Sequence, residues 1–346
     1  MVVGTAGMPG PGSTPGPDAT QGIVGDPAQF RIPILSNFLP TTPYPIGTPG
    51  TPWGVTEKSD WLARQAIRRS YDAEVVQPLK VHLPAQAELF TYGMLDYTRL
   101  GLSRYPLHAV RSRDWRADKP TVLVTGGVHG YETSGVQGAL QWIAQEFDRH
   151  AAVVNLLVLP CLSPWGYETV NRWNPDALDP NRQFRADSPA AESAFAMACV
   201  AARCPTVDLH VDLHETTDTD NSEFGPAKAA RDGKAFDWHA IPDGFYLVGD
   251  TERPAPDFQR ALIDAVRRVT HIADADEHGH LIGTQMAQPG VINYAKRALG
   301  LCGSMTAARF VTTTEVYPDS PTATPAECNE AQAVTVTAAI EYLLRA

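Results

Sequence analysis

The chain has 346 residues, with 28 basic against 39 acidic side chains and a formal net charge of -11 at neutral pH, which excludes a nucleic-acid or anionic-membrane partner bound through a basic tract. Hydrophobic residues make up 43%, enough for a sizeable core, and no run approaches the ~18 consecutive apolar residues of a membrane helix. The five cysteines, Cys161, Cys199, Cys204, Cys302 and Cys328, are odd in number and lack C-x-x-C spacing, so they read as free thiols and not as a disulfide framework.

Residues 1–52 differ from the rest. Pro and Gly recur from Met8 to Pro17 and from Pro40 to Pro52 without apolar periodicity, which predicts a disordered tail followed by an irregular arm lying on the domain. The N-terminus lacks the charged region and apolar core of a secretory signal, so the cytoplasm is the expected location. Residues 53–346 then read as one catalytic domain. Helical spacing covers Ser59 to Ala73, and strands follow near Leu89–Tyr92, Tyr105–Val110 and Val122–Thr125. Val136, Ala139, Leu140, Ile143 and Phe147 recur at helical spacing between Thr133 and His150. Strand Val154–Leu159 precedes a helix over Pro189–Ala202, started by Ser188 with Pro189 at its first position. Strands Val207–His214 and Phe245–Val248, helix Pro256–Thr270, strand Phe310–Tyr317 and helix Pro325–Leu344 complete the chain. This alternation predicts an α/β fold with a mixed, largely parallel central sheet and helices on both faces.

Four features of this frame carry chemistry. The run Thr121–Gly135 holds His129-Gly130-Tyr131-Glu132 where the apolar strand ends. There a Gly-Gly pair allows a sharp bend, and open α/β sheets place ligands at that strand end. Imidazole nitrogen and carboxylate oxygen both suit zinc, whose catalytic sites usually take three protein ligands and leave one position open. Next come Asn171-Arg172-Trp173 and Asp179-Pro-Asn-Arg182, where Arg172 could stack on Trp173 and Asn181-Arg182 could be a polar turn. Then Val207-Asp-Leu-His-Val-Asp-Leu-His-Glu215 offers two histidines. His214 at the strand end is the better third ligand, and His210, ~13 Å further back at ~3.3 Å per residue, reads as a core histidine. Finally, Glu315 is the one carboxylate on strand Arg309–Tyr317, expensive there unless paired or functional.

The order of these motifs resembles the zinc carboxypeptidase superfamily, including its aspartoacylase and succinylglutamate desuccinylase branch, over residues 55 to 346. The resemblance implies His129, Glu132 and His214 as ligands of one zinc ion, Arg172 as the group polarising the scissile carbonyl, Asn181 and Arg182 as a clamp on a substrate carboxylate, and Glu315 as general base. It also implies a substrate-binding Tyr upstream of the base. Tyr294 occupies that region, although an offset of two residues would put Lys296 there. The acidic run Glu215, Asp218, Asp220 offers ligands for a second metal, or is a loop capping its own backbone. The cluster Asp274–His280 reads as a solvated loop. The stretch from Lys296 to Arg309, where the side-chain pocket should lie, is small and mostly neutral and names no substrate.

The expected activity is a metallocarboxypeptidase cleaving an amide next to a free C-terminal carboxylate, on a peptide or an N-acyl amino acid. The ~30 residues after Glu315 suggest one amphipathic helix, where the deacylase branch usually carries a further β domain. The Gly126–Gly135 run and the short interval from Glu132 to His214 look instead somewhat like that branch, so removal of a small acyl group is the alternative. A non-catalytic metal or peptide binder is a third reading, set against the presence of every expected residue in order.

Overall fold

In the computed structural model the described residues are 44–346; the tail expected over the first 43 lies outside them. Residues 44–52 are irregular, with Ile46 buried and the Tyr44 ring 5.9 Å from that of Trp53. The chain then forms α1 (Val55–Ala63), α2 (Gln77–Val81), β1 (Ala87–Asp96), β2 (Arg104–Ser112), β3 (Thr121–Gly126) and α3 (Thr133–Ala151). Next are β4 (Asn155–Leu159), α4 (Pro164–Thr169), α5 (Ala191–Arg203), β5 (Leu209–Glu215), α6 (Gly225–Asp232), β6 (Tyr246–Asp250) and α7 (Pro256–Val266). A small hairpin of β7 (His280–Leu281) and β8 (Thr284–Gln285) precedes β9 (Val291–Tyr294), α8 (Lys296–Leu299), β10 (Phe310–Val316) and α9 (Pro325–Leu343).

Eight strands make one sheet in the order β1-β2-β4-β3-β5-β10-β6-β9. Its centre, β4-β3-β5-β10, is parallel, β2 and β6 join it antiparallel, and at the edges β1 pairs antiparallel with β2 and β9 parallel with β6. Successive strand residues point to opposite faces, and the core divides accordingly. Val122, Val124, Leu156 and Val158 pack with residues of α3, α7 and α9, while Leu123, Leu157 and Leu159 pack with Ala196, Cys199 and Val200 of α5 on the other side. The expected mixed, largely parallel sheet with helices on both faces is therefore present. All five cysteines are free and buried, and no helix among the described residues is long and apolar enough to cross a membrane.

Two predicted boundaries need correction, and one strand of the sheet, β9, was not anticipated. The helix expected over Ser59–Ala73 is broken: α1 starts earlier, where Glu57 accepts the Gly54 N–H, and stops at Ala63, and a second helical stretch begins with the π-helical turn Asp72–Val76 that leads into α2. Residues between the two leave helical geometry so that Arg69 can reach the Gly130 and Tyr167 carbonyls, at 2.6 Å each, and the Thr133 hydroxyl. Ser188 does not start α5, since its hydroxyl donates to the Ala190 carbonyl and the helix begins at Ala191. The short strand β9 carries only four residues, too few to show a period against the background of residues 282–300.

Two glycines shape the turn after β3. Gly127 sits at φ +60°, a region costly for other residues, and a Cβ on Gly130 would lie 1.9 Å from the Gly166 carbonyl carbon and 2.0 Å from the Tyr167 nitrogen. Both clashing atoms are backbone, so relief requires moving α4. Gly130→Ala is expected to destabilise the fold by about 3 kcal/mol, read as a lower denaturant midpoint in chemical unfolding.

Candidate active site

The parallel strands β3, β5 and β10 end on the same edge, and the candidate residues cluster there. His129 and Glu132 lie in the turn from β3 to α3, His214 is the penultimate residue of β5, and Glu315 is its register partner on β10. His129, Glu132 and His214 are each at most 2% exposed. Arg69 fixes the turn from outside by the bonds described above. Glu215, the last residue of β5, fixes it from below: its carboxylate accepts the N–H groups of Thr133 and Ser134 at 2.9 and 2.6 Å. α3 therefore takes its N-terminal cap from another strand, at the positive end of the helix dipole; burial raises the Glu215 pKa to about 7, with the bonds from Ser134 and Thr133 opposing.

The Nδ1 atoms of both histidines face Glu132, that of His129 at 2.6 Å from Oε1 and that of His214 at 2.7 Å from Oε2. Oε2 is buried and its contact with His214 lacks hydrogen-bond geometry. The opposite ring nitrogens each meet a carboxylate: His129 Nε2 lies 2.9 Å from Asp179 and His214 Nε2 3.1 Å from Asp212. Ligand atoms of the three residues all lie within 4.8 Å of one another. Two imidazoles and a carboxylate suit catalytic zinc, and carboxylates behind metal-binding histidines fix ring orientation and tautomer. The donor set therefore fits zinc.

The electrostatics agree. Burial opposes charge on Glu132, yet His214 and His129 hold its pKa down to about 2. Burial also disfavours a charged His214, but Glu132 and Asp212 raise its pKa well above the usual histidine value. A cation between these donors would displace that proton, as metal binding generally does. Asp179 is held well below the usual carboxylate range by Arg172 and His129, against burial. Asp179→Asn is expected to weaken metal affinity about 10- to 100-fold, measured by competition with a chromophoric chelator.

All eight residues expected in the site line one cavity of about 200 Å3: His129, Glu132, Arg172, Asn181, Arg182, His214, Tyr294 and Glu315. Arg172 does not stack on Trp173; Arg231 does, its guanidinium carbon 4.3 Å from the ring centroid. Arg172 is tied instead to Asp179 (3.1 Å), Asp220 (3.1 Å) and the Tyr131 hydroxyl (3.0 Å). Asn181 and Arg182 do form a polar turn, capped by Asp179, and it faces the cavity. Asn181 Oδ1 accepts the Cys302 N–H at 2.7 Å, which leaves its amide donors free of that bond. Arg182 Nη1 donates to the Asn181 carbonyl at 2.8 Å.

Glu315 Oε2 accepts a hydrogen bond from the Thr216 hydroxyl at 2.8 Å, and Tyr246 OH lies 2.7 Å from the same hydroxyl. Because Thr216 has one proton, Tyr246 donates to it. Burial raises the Glu315 pKa to about 7, with Glu132 adding to the effect and His214 opposing it.

The second-metal expectation at Glu215, Asp218 and Asp220 is not met by this geometry. Glu215 caps α3, Asp218 is exposed and accepts from the Tyr317 hydroxyl at 2.8 Å, and Asp220 accepts from Arg172 and Tyr131. Another group of donors, His210, Asp212 and Cys302, lies close together, but the Thr125 hydroxyl stands among them, 3.0 Å from His210, 2.7 Å from Asp212 and 3.4 Å from Cys302. Burial keeps the Cys302 thiol protonated, its pKa well above the usual value, and a thiol is not a metal ligand. His210 is the core histidine expected, satisfied at Nε2 only. In the 274–280 loop, Asp276 accepts the N–H groups of His278 and His280, as a solvated turn does.

Residues 118–239 match the succinylglutamate desuccinylase/aspartoacylase catalytic domain, a span that includes the three candidate ligands, Arg172, Asn181 and Arg182. No curated protein matches the chain. Among solved structures, a metallopeptidase candidate from Shewanella amazonensis aligns with TM-score 0.59 and 19% identity, covering 81% of this chain and 99% of that one. A metallo-carboxypeptidase from Burkholderia cenocepacia aligns at 0.52 and 15%, covering 85% and 70%. Bovine thrombin-activatable fibrinolysis inhibitor, in complex with tick carboxypeptidase inhibitor, aligns at 0.51 and 10%, covering 86% and 98%. The fold is carboxypeptidase-like, and residues 118–239 carry the similarity to the succinylglutamate desuccinylase/aspartoacylase catalytic domain.

Proposed function

From a carboxypeptidase-like fold and a catalytic-domain match over residues 118–239, we propose that this protein is a zinc-dependent hydrolase that cleaves an amide next to a free carboxylate, most simply as a metallocarboxypeptidase. The observation that carries the reading is the convergence of three zinc-compatible donors, a part-buried arginine, a carboxylate and an Asn-Arg pair on one cavity. A zinc ion held by His129, Glu132 and His214 would supply Lewis acidity and bring the pKa of a bound water toward neutrality.

The chain's own groups divide the remaining work. Arg182, planar and bidentate, and the Asn181 amide hold the substrate carboxylate and so set which amide lies at the reaction centre. Arg172, preorganised by Asp179, Asp220 and Tyr131, presents positive charge where the carbonyl oxygen becomes an oxyanion. Glu315 removes a proton from the attacking water and returns it to the leaving nitrogen. The hydrogen bond from Thr216 keeps its carboxylate oriented between these tasks.

The domain match favours one second reading, removal of an acyl group from an N-acyl amino acid by the same residues. The test is metal content per chain of protein purified without chelator, together with hydrolysis of a peptide library beside N-acyl amino acids. About one zinc and C-terminal trimming support the carboxypeptidase; cleavage of N-acyl amino acids alone moves the activity to the deacylase. Failure to take up zinc under any loading condition overturns both.

A further inference from the structure

Gln332 stands on α9, the last helix, and is fully buried. Most of its neighbours on the covered side of that helix are apolar, among them Ala331, Val336, Ala339 and Ile340, so an amide there is costly unless each of its polar atoms finds a partner. Here every one does. Nε2 donates to the His214 carbonyl at 2.8 Å and to the Ser134 hydroxyl at 3.2 Å, and Oε1 accepts from the Thr314 hydroxyl at 2.5 Å. A carbonyl can only accept, so the contact with His214 fixes which end of the amide is nitrogen. The Thr314 oxygen in turn accepts the His214 N–H at 3.1 Å. Gln332 and Thr314 thus close a ring around the main chain of His214, holding its carbonyl and its N–H at once.

The three anchor points belong to the three segments that carry the site. His214 is a candidate ligand on β5, Ser134 lies in the first turn of α3 just after the candidate ligand Glu132, and Thr314 precedes the candidate base Glu315 on β10. Glycine makes the reach possible: a Cβ on Gly138 of α3 would lie 2.5 Å from the Gln332 Cβ, so a larger residue would hold α9 away. Glu215 ties β5 to α3 through the Thr133 and Ser134 N–H groups but leaves β10 out, whereas Gln332 joins all three. None of the residues lining the catalytic cavity comes from α9, so Gln332 acts on the site only through the groups it holds. Resting on the metal-site reading above, we infer that Gln332 is a positioning residue of the active site, which sets where the His214 ring stands relative to Glu132 and to Glu315. Reacting groups depend on such support, because their own side chains do not fix their separation.

The test compares Gln332→Met with Gln259→Met. Gln259 of α7 is an equally buried amide with partners of the same kind, its Nε2 donating to the Val311 carbonyl at 3.0 Å and its Oε1 accepting from the Thr312 hydroxyl at 2.8 Å, but it holds β10 toward the other end of the strand from Glu315. Both variants lose buried hydrogen bonds, and both are expected to be destabilised. Only Gln332→Met is expected to weaken zinc binding, by about 10- to 100-fold in competition with a chelator, as loss of a group behind a metal ligand does, and to alter the visible absorption of the cobalt-substituted protein, which reports ligand geometry. Its kcat is expected to fall by about 10²-fold, the consequence of a ~1 Å displacement, with KM nearly unchanged. Thr314→Val opens the same ring with little change of shape and is expected to shift zinc affinity and the cobalt spectrum in the same direction, so it decides the matter if Gln332→Met does not fold. Wild-type zinc affinity and cobalt spectrum in the folded variants of this ring, or an equal loss in Gln259→Met, overturns the assignment and makes Gln332 a core amide. A wild type that binds zinc but cleaves neither peptides nor N-acyl amino acids removes the hydrolase reading alone, since the affinity comparison needs no turnover; a wild type that takes up no zinc overturns both.

Discussion

Glu315→Gln is expected to lower kcat by about 10²- to 10⁴-fold, the usual contribution of a positioned general acid-base, while zinc content and KM change little. Glutamine keeps the shape and can still accept the Thr216 hydrogen bond, but it cannot take a proton. The pH profile provides a second check. Glu315 must be ionised to act, and burial places its pKa at about 7, so activity rises with pH through the Glu315 titration and falls on its acid side. Zinc bound beside it favours the charged carboxylate and moves that midpoint down. The acid limb should disappear in Glu315→Gln. A variant that retains wild-type turnover would remove Glu315 from the mechanism and favour a binding protein on this fold.

Loss of a ligand should be more complete. His214→Ala is expected to reduce activity to background and to leave substoichiometric zinc after dialysis. Chelation of the wild type should have the same effect on activity and be reversed by zinc. The metal-loaded form should also be the more stable one: saturation at about 1,000 times the dissociation constant is worth about 4 kcal/mol, seen as a higher melting temperature on zinc addition. That gain should vanish in His214→Ala. Equal thermal shifts in both proteins would locate the bound metal elsewhere.

The sequence carried most of the frame because the frame is periodic. The long helices α3 and α9 bury one face each, which writes itself into spacing, and the strands of the parallel centre, buried on both faces, stand out as short continuous apolar runs. His214 and Glu315 on strands, and His129 in the turn just after one, were legible for a related reason: a charged or polar group on or beside an apolar strand is conspicuous. The groups that support them were not. Asp179 was visible as a turn residue in Asp-Pro-Asn-Arg, but its contact with His129 joins positions fifty apart, a separation no local pattern reports. Glu215 looked like one more acid beside the ligands, and only the approach of β5 to α3 shows that its carboxyl group serves the helix N-terminus. Lys296 was legible only as the residue that an offset of two would put in place of Tyr294, and nothing in the sequence reports that it is buried. In each case the missing information was tertiary proximity, not side-chain chemistry.

The pairing of His214 with Glu315 across β5 and β10 has a consequence for how the site can vary. Adjacent strands stand ~4.8 Å apart, so the backbone separation between ligand and base is a repeat distance of the sheet, independent of the 100 residues of chain between them. A slip of one residue would turn one of the two side chains to the opposite face, so the ladder itself guards their geometry. Insertions or deletions between α6 and β10 can therefore reshape the cavity and change what is recognised while the reacting groups keep their separation. Selectivity and chemistry are, in that sense, separately heritable parts of this molecule.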